Sequence, residues 1–336
     1  MMKEQEKLPK IAVFATGGTI QCTKDAISGK VTPAMTGTQM LSGLRGLNEH
    51  FEIEVFEPFT MPGSDLTLRE GLILVREIRN VQKRDDIDGI VVLQGTDTMD
   101  EIPYFLHVAL HCEKPVVFTG SMKSSHDFYS DALGNVYGAA LVASDPKSWG
   151  RGVLVFFNET VFSALEVNKY HAYRIDAFRS NYGPLGGVID DSVYYYRDSK
   201  QGTVFPVENV DINVPILKCY AGIDNQLLVS LLNTDAKAVV IEGYGTGNIP
   251  WYMSDTVKHA VERGIPIIIA TRCVDGESYA CYDYVGGGAQ LEEFGAILSG
   301  ELNAIKSRIK VIAMLSCGKN MEEIREEFAQ SAKFHH

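Results

Sequence analysis

The chain has 336 residues, 45% of them hydrophobic, with 31 Lys+Arg against 43 Asp+Glu and a formal charge of −12. That length exceeds one minimal domain, and the apolar content excludes disorder as a description of the whole. An acidic chain with no Lys/Arg block is a poor partner for a phosphate backbone, so nucleic acid is excluded as the main ligand. In chain order, apolar runs at residues 11–15, 90–93, 116–119 and 153–157 have the length and β-branched content of buried parallel strands. Between them, residues 68–81, 101–110 and 136–143 carry apolar side chains at helical spacing. From Arg197 to Asn213 the pattern lapses into polar, Pro- and Gly-containing sequence, then resumes with strands at 216–220, 238–241 and 267–270 and helices at 225–232, 255–263, 301–314 and 321–332. Such alternation predicts an α/β protein of two α/β domains. The larger, N-terminal and catalytic, spans 1–196 with a mostly parallel sheet; a linker at 197–213 leads to a smaller parallel α/β domain at 214–336.

The six cysteines are scattered without a CxxC pair. They read as reduced, mostly buried thiols of a cytosolic protein. The N-terminal stretch mixes both charges, and no segment approaches the roughly 20 apolar residues of a membrane span. A cytoplasmic protein with no membrane partner is expected. Fifteen tyrosines are present, yet the first is Tyr104.

Ligands of open α/β sheets sit where strand C-termini run into turns and helix N-termini. Three such turns are rich in small hydroxyl residues: Thr16-Gly17-Gly18-Thr19-Ile20, Gly95-Thr96-Asp97-Thr98 and Gly120-Ser121-Met122-Lys123. Their glycines let backbone approach a ligand, and free N–H groups there can face an oxyanion. Each turn alone has a plain structural explanation; Thr98 with Glu101, for example, fits a helix capping box. Several threonine-rich turns on successive strands are harder to explain that way. Neither GxGxxG nor GxxxxGK[ST] is matched. HExxH is absent, and His107/His111 have no nearby carboxylates in sequence, so neither metal nor cofactor is expected.

Residues 15–20 (ATGGTI) and 95–101 (GTDTMDE) resemble the two signature segments of the bacterial-type L-asparaginase family. The resemblance continues through 114–122, 130–137, 176–186 and 245–250, nearly the whole chain, and the C-terminal half is closer to the cytoplasmic type I branch. It implies an amidohydrolase that cleaves the side-chain amide of asparagine or a related amide through a threonine nucleophile and an acyl-enzyme. Position by position, Thr19 matches the nucleophile, while Thr96 and Asp97 match the second-turn pair. Asp97 would hold the substrate's α-amino group, and backbone around Gly18 and Gly95, with Ser121 on the third turn, would line the site. The resemblance also implies a lysine base on the segment leading into the 153–157 strand, where Lys147 is the candidate; Lys123 and Lys169 are the fallbacks. Asn248 would reach a neighbouring subunit's site, which implies a homodimer or homotetramer.

The chain departs from this pattern in three places. The loop after the first signature usually carries a tyrosine that orients the nucleophile, and residues 21–47 contain none; Val31 and Thr32 sit where it belongs. A carboxylate-binding serine is replaced in Gly63-Ser64-Asp65, leaving Ser64 and Asp65 as its polar residues. Pro146 falls on the lysine position, with Lys147 one residue later. Two readings follow: an active hydrolase with a shifted, bulkier or N-substituted amide substrate, or a paralogue that binds an amino-acid-like ligand with little hydrolysis.

Overall fold

The computed structural model describes residues 7–24, 31–33 and 35–330. It begins with β1 (Lys10–Ala15), then the antiparallel pair β2 (Cys22–Lys24) and β3 (Val31–Pro33), helices α1 (Gly37–Gly43) and α2 (Leu47–His50), and β4 (Glu52–Phe56). Strand–helix alternation follows: α3 (Leu68–Val81), β5 (Gly89–Leu93), α4 (Ile102–Ala109), β6 (Val116–Thr119), α5 (Ala132–Ser144) and β7 (Val153–Phe157). Five further strands are β8 (Thr160–Ser163), β9 (Asn168–Lys169), β10 (Phe178–Arg179), β11 (Gly186–Ile189) and β12 (Ser192–Tyr195). One compact unit runs through Val204 and a second starts at Phe205. That division falls inside the segment 197–213.

The first unit is built on an eight-stranded sheet of order β12-β11-β8-β7-β6-β5-β1-β4. Strands β4, β1, β5, β6 and β7 are parallel, while β8, β11 and β12 add an antiparallel edge. Because β1, β5, β6 and β7 are sandwiched, they carry continuous apolar runs instead of alternating ones. On one face Val91, Leu93, Val117 and Leu154 meet Val136, Ala139 and Ala143 of α5. The helix sits so close that a Cβ at Gly89 would lie 2.1 Å from the Ala143 carbonyl oxygen. Helix α3 starts where the sequence places it, because Thr67 and Glu70 form a capping box and Leu72, Leu74, Val75 and Ile78 bury one stripe.

The second unit holds β13 (Ile216–Lys218), α6 (Asn225–Leu232), β14 (Val239–Gly243), α7 (Ser254–Glu262), β15 (Ile267–Thr271), α8 (Gly288–Glu293), β16 (Ile297–Leu298), α9 (Ala304–Ser316) and α10 (Met321–Ala329). Its four strands are parallel in the order β13-β14-β15-β16. Among the described residues no helix is long and apolar enough to cross a membrane. The thiols are less buried than their scatter suggests: Cys22 and Cys219 are buried, but Cys273 and Cys281 are exposed because both lie in the turns that follow β15.

Candidate active site

The first turn leaves β1 through Thr16, whose N–H and hydroxyl both bond the Leu93 carbonyl of β5 at 2.9 Å. Gly17 and Gly18 then take φ of 106° and 87°, a left-handed backbone open to glycine at little cost. Gln21 braces the turn by accepting from Gly17 N at 2.6 Å. A Cβ on Gly18 would fall 2.3 Å from Gly95 Cα, and one on Gly95 would fall 2.7 Å from Gly63 Cα. Three turns therefore touch backbone to backbone, and glycine at 18, 63 and 95 is what permits the approach. Thr19 and Thr96 each follow directly from one of these contacts, Thr19 half-buried and Thr96 buried.

Thr98 does not cap a helix. Its hydroxyl donates to Gly63 O at 3.0 Å, and α4 begins only at Ile102. The second turn and the Gly63–Asp65 turn are thereby tied, which holds Ser64 and Asp65 at the rim, both exposed and 3.3 Å apart through Oγ and Oδ1. Ser121 is turned inward: its hydroxyl donates to Lys123 O at 2.5 Å, so it shapes its own loop. Cys22, three residues beyond Thr19, donates its thiol to Gly18 O at 3.3 Å; burial pushes that thiol's pKa up, which keeps it protonated and poorly nucleophilic.

The lysine at the centre is Lys169. Its Nζ donates to Thr96 Oγ1 at 3.0 Å and to Asp97 Oδ1 at 2.8 Å. The lysine side chain is 16% exposed and that of Asp97 is 64% exposed. Lys169 stands on β9, which pairs with β10, and its own N–H donates to Asp100 Oδ2 at 3.2 Å. Asp100 thus anchors the lysine's backbone to the second signature.

Lys147 is not brought to Thr96 and Asp97. It sits in the turn Pro146–Ser148 directly after α5, 62% exposed, with Nζ on Val193 O at 3.1 Å. The reason is topological. Helix α5 runs back against the parallel strands, so a residue after it lies where β7 begins, whereas Thr96 lies where β5 ends. Five residues of strand separate those two edges by about 16 Å. Lys123, the other fallback, follows β6 at the same sheet edge as Thr96 but bonds neither Thr96 nor Asp97. Asn248 lies in the second unit, bridged to Tyr244, with its Oδ1 accepting from Gly288 N at 3.2 Å. The backbone of Val31 and Thr32 lies in β3, but their side chains fall outside the described residues. Among the described residues no hydrogen bond reaches the Thr19 hydroxyl, and no group of three metal-ligating side chains is found.

Comparison with known proteins agrees over the whole chain. Residues 10–201 match the family described as Asparaginase, N-terminal, and residues 213–328 match the Glutaminase/Asparaginase C-terminal domain. An L-asparaginase of Bacillus licheniformis is 33% identical over 320 residues, covering 95% of this chain and 98% of that protein. A probable L-asparaginase of Deinococcus radiodurans is 34% identical, covering 96% and 98%. The crystal structure of a probable cytoplasmic L-asparaginase from Campylobacter jejuni superposes with a TM-score of 0.85 at 26% identity, covering 96% of this chain and 99% of the other. With both of its domains matched in order and full-length relatives above 30% identity, the chain belongs to the asparaginase/glutaminase family of amidohydrolases.

Proposed function

We propose that this protein hydrolyses the side-chain amide of asparagine or a related amide, through a threonine acyl-enzyme. The observation that carries the reading is the Lys169 ammonium within 3.0 Å of Thr96 and 2.8 Å of Asp97, beside the turn that presents Thr19. Thr19 Oγ attacks the amide carbonyl carbon; the C–N bond breaks, the nitrogen takes a proton, and ammonia or an amine leaves. Water then cleaves the ester and restores the hydroxyl. Asp97, largely exposed, is free to receive the substrate's α-ammonium. Lys169 Nζ, bonded to Thr96 Oγ1 and Asp97 Oδ1, stands where a base for this step is needed. Backbone N–H groups at Gly95 and Thr96 face the developing oxyanion.

Gly63 offers no hydroxyl to a substrate carboxylate, and the rim residues Ser64 and Asp65 are open to solvent. This supports a substrate that is N-substituted or bulkier than free asparagine. A homo-oligomer, completed by the second unit of a neighbour, and a cytoplasmic location belong to the same reading. The lysine–threonine–aspartate contact favours a working hydrolase over a paralogue that only binds. Amine or ammonia release is to be measured over asparagine, glutamine and N-substituted asparagines, with Thr19→Ala as control. Turnover on one of them that is lost in the control is expected; binding without turnover on any amide sinks the proposal.

A further inference from the structure

Lys123 is a buried cation near the site that the reaction above does not use. Its backbone is firmly held. The Asp131 carboxylate accepts from Met122 N and Lys123 N, each at 3.0 Å. Asn135 Nδ2 donates to Gly120 O and to Asp131 Oδ2, both at 2.9 Å, and Ser124 Oγ donates to Cys22 O at 2.6 Å. From this fixed base the side chain runs inward and is only 6% exposed.

An ammonium taken out of water needs compensation. Among the described residues no carboxylate lies within 4 Å of Lys123 Nζ. Compensation comes from Tyr173, whose ring centroid is 3.1 Å away and whose carbonyl accepts at 3.4 Å, with the Tyr129 ring at 5.6 Å. A cation over an aromatic face, shielded from water, is a strong form of this contact.

Tyr173 sits at the tip of the loop that joins β9 to β10. That hairpin is short, two residue pairs, Lys169 with Phe178 and Asn168 with Arg179. Its root is closed by the Tyr170 and His171 N–H groups, both donating to Ala177 O, and by Phe178 packing at a tilt against Phe157 with centroids 4.4 Å apart. The tip is solvated, for residues 172 to 175 are all exposed. Little apolar burial holds it down, so the Lys123 contact ties a weakly held tip to a rigid strand end.

We propose that Lys123 is a positioning residue: by latching Tyr173 it closes the 170–177 loop and holds Lys169 against Thr96 and Asp97. The inference rests on Lys169 serving the reaction, as proposed above, and its test separates the two. Lys123→Met, Lys123→Arg and Tyr173→Leu variants of the full chain are compared by amide hydrogen exchange and by steady-state kinetics. In Lys123→Met the Tyr170 and His171 amides are expected to exchange about tenfold faster. The same variant is expected to lose about tenfold in kcat with KM changed less than about threefold, and the arginine variant to restore both, since it keeps the cation. Tyr173→Leu removes the ring from an exposed position and reproduces the methionine signature, which keeps the test open if Lys123→Met does not fold. Unchanged exchange at Tyr170 and His171 overturns the latch; faster exchange with unchanged kcat overturns its positioning role. Should the unmodified protein turn over no amide, the hydrolase reading fails, while faster exchange in Lys123→Met and not in Lys123→Arg still sustains the latch.

Discussion

Replacing Lys169 by methionine is the most informative single change. Methionine keeps most of the stem and removes both contacts of the ammonium, 3.0 Å to Thr96 Oγ1 and 2.8 Å to Asp97 Oδ1. A positioned base supplies a factor of about 10²–10⁴. At 1.36 kcal/mol per decade, that is about 3–5 kcal/mol of transition-state stabilisation. Folding should suffer little, because Asp97 is largely exposed and water replaces its lost partner. So kcat should fall by at least about a hundredfold while the thermal midpoint stays within a few degrees. Lys147→Met is the matched comparison: its side chain is 62% exposed, and surface changes of that kind stay within about 0.5 kcal/mol. Amine or ammonia release, measured on the best substrate for all three proteins, decides it. The reasoning is refuted if Lys169→Met keeps more than about a third of kcat, or if Lys147→Met loses as much.

Gly18→Ala should be severely destabilising, since its Cβ meets Gly95 Cα at 2.3 Å and the backbone there, φ 87° and ψ −176°, suits glycine alone. Overpacking costs about 1–3 kcal/mol and such backbone strain about 1–3 more, so a fall in Tm of roughly 5–20 °C is expected. An unchanged melting curve contradicts it. Thr98→Val removes the donor to Gly63 O, costs about 1 kcal/mol, and should raise KM by loosening the Ser64–Asp65 rim; equal Tm and KM argue against the tie. At the opposite edge of the sheet, Arg84 and then Lys10 hold the Asp86 carboxyl well below the usual range. A depressed carboxylate contributes stability that is present above the unfolded value near pH 4 and is lost as pH falls toward the folded one. The urea midpoint of Asp86→Asn should therefore trail the unmodified protein at pH 7, and the gap should begin to narrow as pH falls below about 4. A gap that does not narrow as pH is lowered from about 4 toward 2 rejects that assignment.

What the sequence discloses follows from how each element is buried. Strands 116–119 and 153–157 and helix 68–81 are legible because two-sided burial writes an unbroken apolar run and one-sided burial writes a helical stripe. Strand β4, EIEVF, escapes notice because it is an edge with charged residues among apolar ones. The antiparallel strands β8, β11 and β12 escape because their turns, Asn158-Glu159 and Asp190-Asp191, take positive φ without the glycine that usually marks a hairpin. Threonine-rich turns around 19 and 96 stand out in composition, and the structure brings them together through three glycines. Lys169 does not stand out. It sits on a two-residue strand with no periodicity, and only the fold of the hairpin aims it at Thr96. Lys147 lies at the other end of the sheet, because a helix in an α/β unit returns to the edge where the next strand begins.

The distance along the chain between Thr96 and Lys169 has a kinetic corollary. Seventy-three residues separate the two, and strands β6, β7 and β8 with helix α5 all lie between them. Bringing such remote positions together waits on closure of the intervening loop and docking of each strand in turn. Helical content can return early, because the turns of α3 and α5 are local. Catalytic competence cannot. In a refolding experiment, regained turnover cannot precede completion of the first unit and should lag the far-ultraviolet signal, which makes it a late marker of assembly.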